Sequence, residues 1–249
     1  DFNSIVLLSN MNSFGYIREA CRALGVDYND VEVFDELIEY EPSNMDSSAQ
    51  SIQDLTNIAG GEYWKEIIDD YNAKRIDGYE AEIRFANQYS QRLNQIYRFV
   101  LNMPIRLKEG QRPKYRMIHA TNHEDGCVLM NDNICKRWEV LKNIQNEGQA
   151  KLFKETIENQ VVDMKDIKGK VEHHINQYMS DTPLNIILAD FFTEYGVLVP
   201  SRDICKILKS MEKSTYIIVS RIPPRTITGK PSTFFTQNSK QKVLLRRKP

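Results

Sequence analysis

Cysteine is scarce in this 249-residue chain and never clustered. The four residues Cys21, Cys127, Cys135 and Cys205 form no CxxC pair, which argues against a zinc cage or a dithiol redox centre. Spread so thinly, they read as reduced thiols in a cytoplasm. Long hydrophobic runs are also missing. No apolar stretch approaches the ~20 residues of a spanning helix, and no basic, apolar, small-residue leader opens the chain. There is no Met before Met11, and DFNSIVLLSN starts almost at once on an apolar strand. We therefore expect the natural protein to extend further on the N-terminal side. What remains is ordinary: 41% hydrophobic and 27% charged residues, a globular composition with room for one large domain or two modest ones.

The net charge of −1 hides an asymmetry. Residues 200–249 carry 12 Lys and Arg against only Asp203 and Glu212, a balance of +10 that leaves −11 on residues 1–199. A basic module on an acidic body calls for an anionic partner or a solvated tail that neutralises the body.

SIVLLSN (4–10) suits a buried strand, and NSFGYIREACRALGV a helix with Ile17, Cys21 and Leu24 inward and Gly25 as its stop. Residues 27–61 are acidic and irregular, with a short helix in SSAQSIQDLTNIAG. GEYWKEIIDDYNAKRI is helical with Trp64, Ile67, Ile68 and Tyr71 on one face. EAEIRFANQYSQRLNQIY continues in helical mode with Ile83, Tyr89, Leu93 and Ile96 inward. From Tyr97 the apolar period drops to two, and residues 97–107 and 114–121 predict an antiparallel hairpin across KEGQRP. A helix follows in CVLMNDNICKRWEVLKNIQ, with Val128, Ile134, Trp138 and Leu141 inward. Cys127 and Cys135 read there as small buried hydrophobes.

Residues 149–180 read as a helical connector broken at Gly148 and Gly169, with the His173-His174 pair solvated. TPLNIILADFFTEYG predicts a helix capped by Asp181 or Thr182 and stopped by Gly196. PSRDICKILKSMEKST predicts a second helix capped by Ser201, with Ile204, Ile207, Leu208 and Met211 buried. TYIIVSRIPPRT and KQKVLLRRK are strands joined by a flexible basic loop. Two helices and a basic β-hairpin are the pattern of a winged helix-turn-helix. In that arrangement Arg202, Lys206, Lys209 and Lys213 recur on one face of the second helix, opposite Ile204 and Leu208. Arg225, Lys230, Arg246 and Arg247 fall on or beside the wing. Cations on two elements facing one side point to nucleic acid, DNA in the first instance. A protein-docking winged helix with a solvated basic face is the alternative.

Four residues of YRMIHATNHEDG (115–126) could do chemistry, Arg116, His119, Thr121 and His123, and of these Arg116, His119 and His123 are the catalytic candidates of the front half. On a continuous strand, residues four apart sit ~13 Å from one another. The two histidines therefore share an ion only if the strand ends between them. The structural roles are His119 as a satisfied core histidine and His123 as a turn residue capping the next helix. The functional role is a place at a catalytic edge.

The order strand, long helical region, terminal hairpin is that of the back half of a class I methyltransferase sheet. The run IHATNHEDG before the Met-containing helix CVLMNDNICKRW resembles the three-Cys-motif partner family, as does the terminal IIVSRIPPRTITGKPSTF. The likeness runs over residues 1–249, loosely at 27–80. It implies three regions: the back half of a methyltransferase-like Rossmann α/β domain (1–147), a helical connector (148–180) and a winged helix-turn-helix (181–249). It implies S-adenosylmethionine for the intact protein and a three-Cys-motif protein as partner. This sequence departs from the family pattern in lacking the glycine-rich FAGPG-type motif and the acidic-Pro segment. Only glycine lets backbone approach a cofactor closely, so no cofactor is expected on this chain alone. A non-enzymatic adaptor with a degenerate α/β domain is the competing expectation.

Overall fold

A computed structural model describes residues 4–7, 13–28, 48–105, 115–148, 164–238 and 240–249. In chain order these form β1 (Ser4–Leu7), α1 (Ser13–Ala23), α2 (Ser48–Ala59), α3 (Tyr63–Asn72), α4 (Gly78–Leu93), β2 (Phe99–Ile105), β3 (Tyr115–Thr121) and α5 (Glu124–Gly148). Then come α6 (Met164–Ile175), β4 (Thr182–Pro183), α7 (Leu184–Tyr195), α8 (Ser201–Lys213), β5 (Ile217–Ile222) and β6 (Lys242–Arg247). The fold is mixed α/β, with two antiparallel three-stranded sheets among the described residues. No helix among those residues is long and apolar enough to cross a membrane.

The first sheet has the order β1-β3-β2. β3 runs antiparallel to both neighbours, with Leu101 opposite His119 and Val100 opposite Ala120. The period-two reading of this hairpin holds: Phe99, Leu101 and Met103 enter the largest core. Val100, Ile118 and Ala120 face the other way, against Tyr89, Leu93 and Tyr97. The predicted turn KEGQRP and the helical reading of 149–163 lie outside the described residues.

Helices α1 to α4 enclose a second core around Trp64, whose indole N–H donates to Thr56 Oγ1 at 3.2 Å. Trp64, Ile67, Ile68 and Tyr71 are all buried, as their spacing predicts. The phase predicted for this stretch holds at Tyr89 and Leu93, which pack against the first sheet, and is corrected at the other two positions. Ile83 and Ile96 are exposed, and the inward face is Ala81, Glu82, Phe85 and Ala86. An acid on that face hid the stripe.

In the C-terminal half, α6 packs against α7 and α8. Gly169 lies within α6 and breaks nothing. Thr182 belongs to β4, paired with Leu245, and caps no helix; α7 begins after Pro183. Gly196 does end α7, at φ +80, in the region that favours glycine. The second sheet has the order β4-β6-β5. One apolar core joins Leu101 and Met103 of β2 to Ile134 of α5, Phe191 and Phe192 of α7, Leu208 of α8 and Leu245 of β6. The basic module is therefore seated on the body through continuous packing.

Candidate nucleic-acid interface

α8 is strongly two-faced. Ile204, Leu208 and Met211 are buried, while Arg202, Lys206, Lys209 and Lys213 are exposed in one row. Its start is fixed from outside. Asp132 on α5 accepts from Ser201 N at 2.7 Å and from Ser201 Oγ at 2.5 Å. Ser201 was expected to cap α8 with its own hydroxyl; instead that hydroxyl serves Asp132. An acceptor carried on a distant helix satisfies the free N-terminal donor just as well.

Two of the four α8 cations are engaged. Arg202 meets Glu139 of α5 at 2.5 Å, and Lys206 meets Asp203 at 2.7 Å. Lys209 and Lys213 make no ion pair among the described residues. Exposed pairs such as the first two are worth about 0–1 kcal/mol, so a phosphate can displace them.

The wing follows β5. Arg221 links its root to α8: the guanidinium donates twice to Glu212, both at 2.7 Å, and once to Phe234 O at 2.8 Å. It also lies 5.0 Å from the Phe235 ring centre. Charge counting treats Arg221 as one more cation, yet its side chain is only 9% exposed and its work is structural. The signal in the sequence was its strand position, in phase with Ile217 and Val219. Arg225 and Lys230 stand exposed beyond it.

Arg246 and Arg247 separate. Val243 and Leu245 are buried against α8's side of the sheet, so alternation turns Arg246 away from α8. There Arg246 Nε meets Asp181 at 3.3 Å. Arg247 lies opposite Ile217, half-buried, with its N–H donating to Tyr178 O at 2.7 Å. The exposed cations among the candidates are thus Arg202, Lys206, Lys209 and Lys213 on α8 and Arg225 and Lys230 on the wing, with Arg246 turned away from α8.

The front candidates do not converge. Arg116 lies on the α4 side of β3, where it donates to Glu82 at 2.5 and 3.0 Å and to Asn102 at 3.3 Å. His119 points to the opposite side, is 3% exposed, and its Nδ1 has no hydrogen-bond partner among the described residues. The expected core position holds, while the expected satisfaction does not. Burial holds its pKa below the ordinary imidazole value. His123 is an exposed turn residue. Its Nδ1 accepts from Asp125 N at 3.2 Å, capping α5 as expected. Among the described residues no three His, Cys, Asp or Glu side chains are placed to hold an ion.

The expectation of a solvated His174 is overturned. It is 2% exposed, with Nδ1 at 2.8 Å from Glu194 and Nε2 at 3.1 Å from both Ile187 O and Tyr178 Oη. Tyr178 in turn donates to Asp190 at 3.0 Å. The spacing 167, 171, 174, 175, 178 places His174 on the apolar stripe of α6, and that signal was readable.

Burial raises the thiol of Cys21 to about 11 and those of Cys127, Cys135 and Cys205 to about 12. Thiolate is the nucleophile, so none of them is poised for catalysis. We expect native protein at pH 8 to react slowly with a disulfide reagent, and all four thiols to react at once in denaturant. A fast native thiol, seen as a burst, would count against this.

No family model, curated protein or solved structure matches this chain.

Proposed function

We propose that this chain is the back part of a cytoplasmic, three-Cys-motif-partner-like protein with a methyltransferase-like body, and that its C-terminal winged helix-turn-helix binds duplex DNA. The observation that carries the binding claim is the row Arg202, Lys206, Lys209, Lys213 and the cations Arg225 and Lys230, held on two elements that Arg221 ties together. Further support comes from topology. Helix, short strand, two helices, strand, wing, strand, with sheet order β4-β6-β5, is what a winged helix requires. A central β3 antiparallel to both neighbours fits the tail of a methyltransferase sheet.

In this reading α8 lies in the major groove and the wing cations meet phosphates, which sets register without reading sequence. For the intact protein of this reading we propose S-adenosylmethionine as the cofactor, with none held by this chain alone. The segment LSNMN that follows β1 in the sequence holds no glycine to let backbone approach a cofactor closely, which supports that assignment. A three-Cys-motif protein is the proposed protein partner.

The test is duplex binding by the whole chain across a salt series. Each phosphate contact adds about −0.9 to the slope of log K against log salt. We expect Lys206→Glu/Lys209→Glu to weaken binding at least ~10-fold and to flatten the slope by about 2. Absence of binding at low salt, or binding indifferent to salt, favours an adaptor whose winged helix docks a protein.

A further inference from the structure

The wing was expected to be a flexible basic loop; its tip is instead a hydrogen-bonded turn. Thr226 N donates to Lys230 O at 2.8 Å, and Gly229 N to Thr226 O at 2.9 Å. Gly229 has φ +76, a conformation that any side chain would strain. Arg225 pairs with Pro231 across the tip. At the base the buried Ser232 donates from N to Pro224 O at 2.9 Å and from Oγ to Pro223 O at 2.8 Å. This frame holds Ile227 fully exposed, between two exposed cations. The turn itself has no use for a β-branched apolar residue, since turn positions are served by Gly, Asn, Asp or Ser. The side chain, fully open to solvent, is not among the apolar residues packed on any core of the described residues.

We propose that Ile227 is an apolar wedge that the wing sets against a base step in the minor groove of duplex DNA, with Arg225 and Lys230 on the flanking phosphates. The proposal rests on the nucleic-acid reading above and adds what the wing does there. Arg221 pins the wing root to Glu212, one residue before Lys213, so the wing leaves the body beside the C-terminal cation of α8. With α8 in a major groove, the nearest surface beyond the intervening backbone is the adjacent minor groove. Apolar side chains that enter that groove act by partly unstacking a step. This favours steps that unstack easily, such as TA, over stiff A-tracts. A bilayer is the other surface that takes a cation-flanked apolar tip. One isoleucine is too little for it, since even a whole acyl chain gives only marginal, reversible membrane binding.

The experiment compares the whole chain with Ile227→Ala and with Arg225→Ala/Lys230→Ala. Each is titrated with duplexes carrying a central TA step or an A-tract, over a range of salt. Ile227 is fully exposed, so Ile227→Ala melts at the same temperature as the unaltered chain and its binding reports on the contact alone. We expect Ile227→Ala to lose about tenfold on the TA duplex with the salt slope unchanged, and to lose the preference for TA over A-tract. The double variant should lower the slope by about 2 and keep the preference. If the unaltered chain binds and Ile227→Ala binds each duplex as tightly as the unaltered chain does, the wedge falls and the nucleic-acid reading stands. If the unaltered chain binds no duplex at low salt, both fall. Loss in Ile227→Ala of binding to anionic phospholipid vesicles, with duplex binding unchanged, also overturns the wedge and assigns the tip to a membrane.

Discussion

Arg116→Ala is expected to lower stability by about 3–5 kcal/mol, the cost of removing one partner from a buried ion pair. Glu82 is only 2% exposed and receives two bonds from the guanidinium. Its carboxylate, carried on α4, meets Arg116 on the face of the sheet that also bears Val100, Ile118 and Ala120. Without Arg116 it keeps its burial and loses its bidentate donor. In a chain of this size that loss moves the melting temperature down by about 6–20 °C. The pair variant Arg116→Met/Glu82→Leu should recover most of it, because apolar groups of similar volume often replace a buried pair at little cost. A catalytic Arg116 would behave differently, costing activity with little change in melting. If Arg116→Ala melts within a degree of the unaltered chain, the structural assignment is lost.

The same pair explains where sequence reading stopped. A strand announces itself through its own period, so β2 and β3 could be placed from alternation alone. A helix face is equally readable when it is apolar throughout, as in α3 and α8. α4 fails this test because Glu82 sits among its inward residues, and its partner lies 34 positions away on another element. Nothing local says that the acid is buried. The caps of the C-terminal helices failed for the same reason. Ser201 is the right residue type at the right place, yet the acceptor for its N–H is Asp132, 69 residues earlier. Thr182 is a plausible cap until β6 returns from the far side of the wing to pair with it.

The candidate site divides along the same line. The α8 row was legible because four cations at helical spacing need only the helix to become a surface. The partition of Arg246 from Arg247 was legible too, since neighbours on a strand face opposite ways. For Arg221 the strand phase showed which way it faces but not its partners, because Glu212 lies on α8 and Phe234 at the far side of the hairpin.

His174→Ala should rank beside Arg116→Ala, at about 3–4 kcal/mol. Two effects add: the cavity left by a buried ring and the hydrogen bonds to Glu194, Ile187 and Tyr178 that go with it. The ring also meets Tyr178, Phe191 and Tyr195 edge-on, with centroids 5.3, 5.5 and 6.1 Å away. His174→Phe separates the two effects, since it keeps volume and ring contacts and loses only the bonds; it should cost about 1–2 kcal/mol. A His174→Phe that melts as low as His174→Ala would show that packing contributes little. The partner acid adds a pH signature. Burial pushes the Glu194 carboxyl up, but bonds from His174, Tyr195 and Gln177 outweigh it and hold the group below the ordinary carboxylate value. A depressed carboxyl stabilises fully above its unfolded value of about 4.3 and loses that contribution as pH falls through the lower folded value. Its side chain is 40% exposed, so solvent screening keeps the contribution under about 1 kcal/mol. In melts from pH 6 down to pH 3, the advantage of the unaltered chain over Glu194→Gln should therefore hold at pH 6 and shrink below pH 4. An unchanged gap across that range would remove Glu194 from the account. The clamp matters beyond α6 and α7: Tyr178, held by His174 on one side, accepts Arg247 N on the other, and so anchors the strand on which the wing returns.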